Sequence, residues 1–157
     1  MDELQTLSLF QVSEIELVYR SKVRPSDRVK VTSSSMAYEV FMAVWDMNKI
    51  ELVEQAKILL LDASCQCLGV VDISTGGITA CIVDPRIACA AALAARATSF
   101  VLAHSHPSGN PNPSEADKRM TARLAECGRL LEIKLWDSMV VCTDSYYSMQ
   151  DNGLMPS

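Results

Sequence analysis

The stretch from Ser99 to Asp117 constrains the fold of this chain more tightly than any other. Phe100-Val101-Leu102-Ala103 is a short continuous apolar run, the length of a buried strand, and it leads into His104-Ser105-His106. Pro107, Gly109, Pro111 and Pro113 then force an irregular loop, and helical periodicity resumes at Ser114. A strand end, a stiff loop and a helix start are thereby brought towards one point. His104 and His106 are the only histidines among 157 residues. Random placement would put two histidines at i and i+2 in roughly one case in 80, so the spacing asks for a cause. Residues two apart on an extended segment face the same side, where two imidazoles can share one ion.

Asp117, in the first turn of the helix, is placed to supply a third ligand. Two neutral imidazoles and a carboxylate suit Zn²⁺ and leave a fourth tetrahedral position for water, which is a catalytic arrangement, not a closed structural one. The same residues also support a plainer reading, because Ser114-x-x-Asp117 is a helix capping box.

The run His104-x-His106-Pro107, six further residues, then Ser114-x-x-Asp117 resembles the zinc signature of the JAMM metalloproteases, also called the JAB or MPN-plus family. His-Ser-His-Pro-Ser-Gly followed by Pro113-Ser114 resembles its RadC-like branch. The resemblance covers the last two thirds of the chain, with a weaker likeness in the opening segment to small RadC-like proteins of mobile elements. It implies a JAB/MPN fold similar to that of cytidine deaminases, zinc held by His104, His106 and Asp117, and a glutamate upstream of the first core strand. Glu54 occupies that place, ahead of Gln55-Ala56-Lys57-Ile58-Leu59-Leu60-Leu61. Glu39 is the competing candidate, though its neighbours place it on the exposed side of a helix. RadC-like proteins usually follow a later aspartate with histidine, whereas here Asp137 is followed by Ser138. Longer members also carry an N-terminal helix-hairpin-helix region, the family's natural DNA-binding part, for which this sequence has no room.

Composition narrows the setting. Hydrophobic residues make up 49% and charged residues 21%, which is the balance of a globular domain. The net charge of −5 gives no overall attraction to nucleic acid or anionic membrane. No apolar run reaches the ~18 residues of a membrane span, and Met1-Asp2-Glu3 lacks the basic start of a secretory signal, so a cytoplasmic protein is expected. Six cysteines without a Cys-x-x-Cys pair fit buried thiols better than disulfides, with Cys65-x-Cys67 as a minor metal candidate.

Along the chain, residues 1–30 read as an arm or edge strand and 31–157 as one RadC-like JAB/MPN domain. Ser13–Tyr19 alternates like a half-exposed strand, and Arg20, Lys22, Arg24, Arg28 and Lys30 make a basic stretch. Ser33 to Ser35 offer caps for an amphipathic helix carrying Met36, Val40, Ala43 or Val44, and Met47, broadened by Ala37 and Phe41. Strands are expected at Lys57–Asp62 and Cys67–Ser74 as a hairpin, then at Ile78–Val83, Ser99–Ala103, Glu132–Thr143 and Tyr146–Met149. Helices are expected from Asp84-Pro85 through Ala97 and from Ser114 to Leu130. The fold class is therefore α/β, a mixed central sheet flanked by helices.

Two functions follow from the resemblance. One is a zinc hydrolase cutting peptide or isopeptide bonds of a protein or peptide substrate. There zinc would acidify water, Glu54 would act as base and Ser114 would donate to the oxyanion. The other is a DNA-repair or mobile-element maintenance factor, which the acidic charge does not favour.

Overall fold

The computed structural model of the protein describes residues 11–78 and 82–157. Five strands form one sheet: β1 (Gln55–Leu61), β2 (Cys67–Thr75), β3 (Ser99–Ser105), β4 (Lys134–Val141) and β5 (Tyr146–Ser148), in the order β2-β1-β3-β4-β5. The helices are α1 (Ser34–Val44), α2 (Pro85–Ala94) and α3 (Glu115–Leu130). β1 pairs antiparallel with both β2 and β3, β3 runs parallel to β4, and β5 returns antiparallel. The sheet is mixed, as the hairpin spacing requires.

Every residue of β3 is buried, which is why Phe100–Ala103 is continuously apolar instead of alternating. On one face Ile58, Leu60, Phe100 and Leu102 pack against Ala88 and Ala92 of α2 and Leu124 of α3. On the other, Leu59, Leu61, Val101 and Ala103 pack against Ala37 and Phe41 of α1. His104 continues the parity of Phe100 and Leu102, so it points to the face that carries α3.

Local chemistry sets the helix starts. The Asp84 side chain accepts from Arg86 N, Pro85 sits at the first helical position, and the alanines of α2 let it approach the sheet closely. α2 ends at Ala94 and not at Ala97, because Arg96 takes a left-handed φ of 59° and Ala97 N turns back to Ala92 O at 2.9 Å. Glu132, at φ 58°, likewise uses up the residues before β4, which begins at Lys134. In α1 the buried stripe is Ala37–Phe41–Trp45, while Val44 and Met47 are exposed. The stripe lies one position away from the methionine-centred reading because the two aromatic rings fill the space under the sheet.

The strand read at Ser13–Tyr19 does not form. Residues 12–20 carry no regular structure, and Ile15 and Leu17 are exposed, since alternation without a paired neighbour does not make a strand. One tie is the Tyr19 hydroxyl, which donates to Leu68 O at 2.9 Å. Of the strand read at Ile78–Val83, Thr79–Cys81 lie outside the described residues, and Ile78, Ile82 and Val83 are not in a strand. Among the described residues, no helix is long and apolar enough to cross a membrane.

Gly128 allows α3 to end against the following turn. A Cβ built there would lie 2.3 Å from Ile133 O and 3.3 Å from the Phe100 ring. In an open helix Gly→Ala stabilises by about 1 kcal/mol. Here the backbone clash outweighs that gain, and Gly128→Ala is expected to destabilise by about 1–3 kcal/mol. Urea unfolding measures this, and a raised midpoint would refute it.

Candidate metal centre

His104 is the penultimate residue of β3, His106 follows the strand directly, and Asp117 lies at the third residue of α3. The antiparallel register places Ala56 beside His104, which brings the residue before β1, Glu54, to the same end of the sheet. The loop between is built by its own residues: Gly109 adopts φ 81°, Ser108 Oγ accepts from Asn110 N at 3.3 Å, and Asn110 Oδ1 accepts from Asn112 N at 3.1 Å.

Three ligand-type atoms converge. His104 Nε2 and His106 Nε2 are 3.2 Å apart, and each lies 3.1 Å from one oxygen of the Asp117 carboxylate. Among the described residues this is the group of three whose atoms could hold one metal ion. Ligands about 2.0–2.1 Å from a tetrahedral zinc are separated from each other by about 3.3 Å, close to the separations seen. Three lone-pair-bearing atoms at such distances repel unless protons or a cation lie between them, and His104 is 2% exposed, so water screens little. His106 Nδ1 faces Asn110 O at 2.8 Å. A carbonyl only accepts, so Nδ1 carries the proton and Nε2 is left to the ligand position. The donor set and its support fit zinc.

Electrostatics agree. The Asp117 hydrogen bond raises the His106 pKa above its ordinary value, burial opposes it, and the carbonyl of Asn110 and the charges of Asp117 and Glu54 add to the rise. Burial pushes the Asp117 carboxyl upwards, but hydrogen bonds from both histidines outweigh it and hold the group well below the usual carboxylate range. In the metal-free protein the raised His106 contributes stability that is fully present below about pH 6.5 and is lost as pH rises through its folded value. The Asp117 contribution is present above about pH 4 and is lost only in strong acid. A metal displaces the His106 proton, so zinc affinity is expected to fall about tenfold per pH unit below the raised value. The melting-temperature gain on adding zinc should therefore be larger at pH 8 than at pH 6, and the reverse order would count against these ligands.

A cleft of about 420 Å³ opens over this group, and Glu54, His106, Ser114 and Asp117 line it. Glu54 is half-buried, and its backbone is clamped by Gly76 N→Glu54 O at 2.7 Å and Glu54 N→Gly77 O at 3.0 Å. Glu39 is exposed on α1 and is not part of the cleft. Ser114 forms the capping box with Asp117: Ser114 Oγ accepts from Asp117 N, and Ser114 N donates to Asp117 Oδ2 at 2.8 Å. The capping and ligand readings of these two residues are thus compatible, since the cap fixes the carboxylate that faces the histidines.

Three hydroxyl residues complete the support, and Thr121 is the one that sequence reasoning passed over. Ser105 is fully buried; its Oγ accepts from Gln55 N at 3.0 Å and donates to Val53 O at 3.3 Å, so it grips both neighbours of Glu54. Thr121 Oγ1 donates to Asp117 O at 2.9 Å and lies 2.7 Å from the Ser138 hydroxyl. Ser138 is buried and supports α3 through that contact. Asp137 shares a cavity with Ala37 instead; burial raises its pKa against hydrogen bonds from Ser148 Oγ and Gln150 N. The i+4 spacing of Thr121 from Asp117 was the sequence signal for its place in this network. Cys65 and Cys67 are free thiols, burial raises the Cys67 pKa, and among the described residues no third ligand joins them.

Comparison with known proteins matches residues 31–154 to the family described as RadC-like JAB domain. A UPF0758 protein of Flavobacterium johnsoniae is 33% identical over 144 residues, covering 91% of this chain and 62% of that protein. A UPF0758 protein of Symbiobacterium thermophilum is 39% identical over 141 residues, 90% of this chain and 59% of the relative. One from Clostridium acetobutylicum is 32% identical over 142 residues, 89% and 60%. The chain spans about three fifths of the length of these curated relatives.

Proposed function

Because the chain belongs to the RadC-like JAB domain family, we propose that it is a zinc-dependent hydrolase that cleaves peptide or isopeptide bonds. The observation that carries this reading is the convergence of His104, His106 and Asp117, the last two of them lining the cleft that Glu54 also lines. Zinc bound by these three residues supplies Lewis acidity, polarising a substrate carbonyl and making water more acidic.

The chain's own groups supply the rest. Glu54 takes a proton from the attacking water and returns it to the leaving amine. Ser114 Oγ already accepts from Asp117 N, which leaves its own hydrogen to donate to the oxygen on which negative charge develops. Ser105 holds the backbone on both sides of Glu54, and the Asn110 carbonyl fixes the His106 tautomer.

The basic stretch gives the nucleic-acid reading little support. Arg24 pairs with Asp27 at 2.8 Å and Arg28 lies 3.9 Å from Asp62, so part of its charge is spent within the fold. The test is a turnover screen of the zinc-loaded protein against peptides, isopeptide conjugates and single-stranded or branched DNA, with chelated protein as control. Chelator-sensitive cleavage of an amide bond is expected, with DNA held no tighter than roughly 10⁻⁴–10⁻⁶ M. Tight, structure-selective DNA binding without amide cleavage would replace the proposal.

A further inference from the structure

The cleft contains two cations that the proposed chemistry does not use. Ala116, Arg119, Met120 and Arg123 line it from α3 at i, i+3, i+4 and i+7, one continuous stripe beginning beside Asp117. The other two basic side chains of this helix have acidic partners three residues earlier: Lys118 with Glu115 at 3.1 Å, and Arg129 with Glu126 at 2.6 Å. Arg119 and Arg123 are exposed and have no ion-pair partner among the described residues. Asp84 feels the charge of Arg123 but is itself held by Arg86 at 2.9 Å. Like charges at i and i+4 disfavour a helix, so the pair stands at a local cost that an anion between them would relieve.

We infer that Arg119 and Arg123 form a carboxylate-binding subsite, so that the substrate is a peptide carrying an acidic side chain or free C-terminal carboxylate near the bond that is cut. The inference rests on the hydrolase reading and names its substrate class. Guanidinium groups one helical turn apart can close on one carboxylate, and the planar fork matches its two oxygens. The rise of about 1.5 Å per residue sets Arg119 and Arg123 about 3 and 9 Å along the axis from Asp117. With the angular offset of that stripe from Asp117 around the helix, an anion held between them lies about two to four residues of extended peptide from the metal group. Glu54 and Asp117 repel a carboxylate from the chemistry itself, which fixes the direction in which the substrate lies. Ile82, Val83, Pro85 and Met120 give the same cleft an apolar wall for the intervening side chain. A nucleic acid is the poorer fit: the pair is confined to one stripe of one helix, Lys118 and Arg129 are neutralised locally, and the chain carries a net charge of −5.

The experiment measures binding and cleavage separately on the zinc-loaded chain. The probes are short N-acetylated peptides in matched pairs, Glu against Gln at each position and free C-terminal acid against carboxamide, with a single-stranded oligonucleotide alongside. At least tenfold tighter binding of the acid member is expected at low salt, weakening as salt rises. Arg119→Gln with Arg123→Gln should abolish the preference and leave the melting temperature unchanged or slightly raised, while Lys118→Gln should keep the preference. The Glu/Gln and acid/amide series tell which kind of carboxylate is bound. An acid preference without cleavage would leave the subsite standing and overturn the hydrolase proposal. Cleavage with no acid preference, no charge-dependent peptide binding at all, or arginine-dependent binding of the oligonucleotide in preference to peptides would each overturn the subsite.

Discussion

Glu54→Gln lowers turnover by about 100-fold or more, with zinc content and melting temperature nearly unchanged. Glutamine keeps the shape of the side chain and its hydrogen-bonding reach but cannot take a proton. The backbone clamp from Gly76 and Gly77 does not involve the carboxylate, so the segment stays in place. Glu39→Gln is the matched control, because Glu39 lies exposed on α1 outside the cleft, and its activity should equal that of the parent. Full activity in Glu54→Gln would remove the base from the proposed mechanism. A loss that appeared equally in the metal content would recast Glu54 as part of the ion's support.

Replacing His104 and His106 together by alanine reduces bound zinc from about one per chain to background and removes chelator-sensitive turnover, because a single carboxylate cannot hold the ion. Elemental analysis of protein purified without added metal reads the first effect directly. The two single variants should differ. His104 is 2% exposed in the packed core, so His104→Ala loses both metal and several degrees of melting temperature. His106 is half-buried on the loop side, so His106→Ala loses metal with a smaller change. Zinc stoichiometry unchanged in the double variant would place the ion elsewhere.

The elements around the metal group could be read because each is bounded by residues with hard backbone constraints. Asp84-Pro85 starts α2, Ser114 starts α3, and the prolines after His106 leave no alternative to a loop. The helix ends were less legible. Arg96 and Glu132 take left-handed conformations with no glycine to announce them, so the stopping points come from packing. Ser13–Tyr19 shows that a two-residue alternation specifies a face but supplies no partner. At the site, residue types with obligatory chemistry stood out, whereas Ser105, Thr121 and Ser138 are common hydroxyls whose importance lies in what they touch across 17 to 52 residues of sequence.

On the hydrolase reading, the pairing of Ala56 with His104 links the proposed catalysis to folding fidelity. Sliding β1 by two residues along β3 would keep every apolar side chain on its own face, so such a chain could still look collapsed and ordered. It would also carry Glu54 about 7 Å away from the histidines and take Gln55 N from the Ser105 hydroxyl. On that reading, turnover is a stricter assay of refolding than circular dichroism, because it counts only the molecules whose strands have met in the native alignment. In a refolded preparation, specific activity lagging behind recovered secondary structure would measure the misaligned fraction.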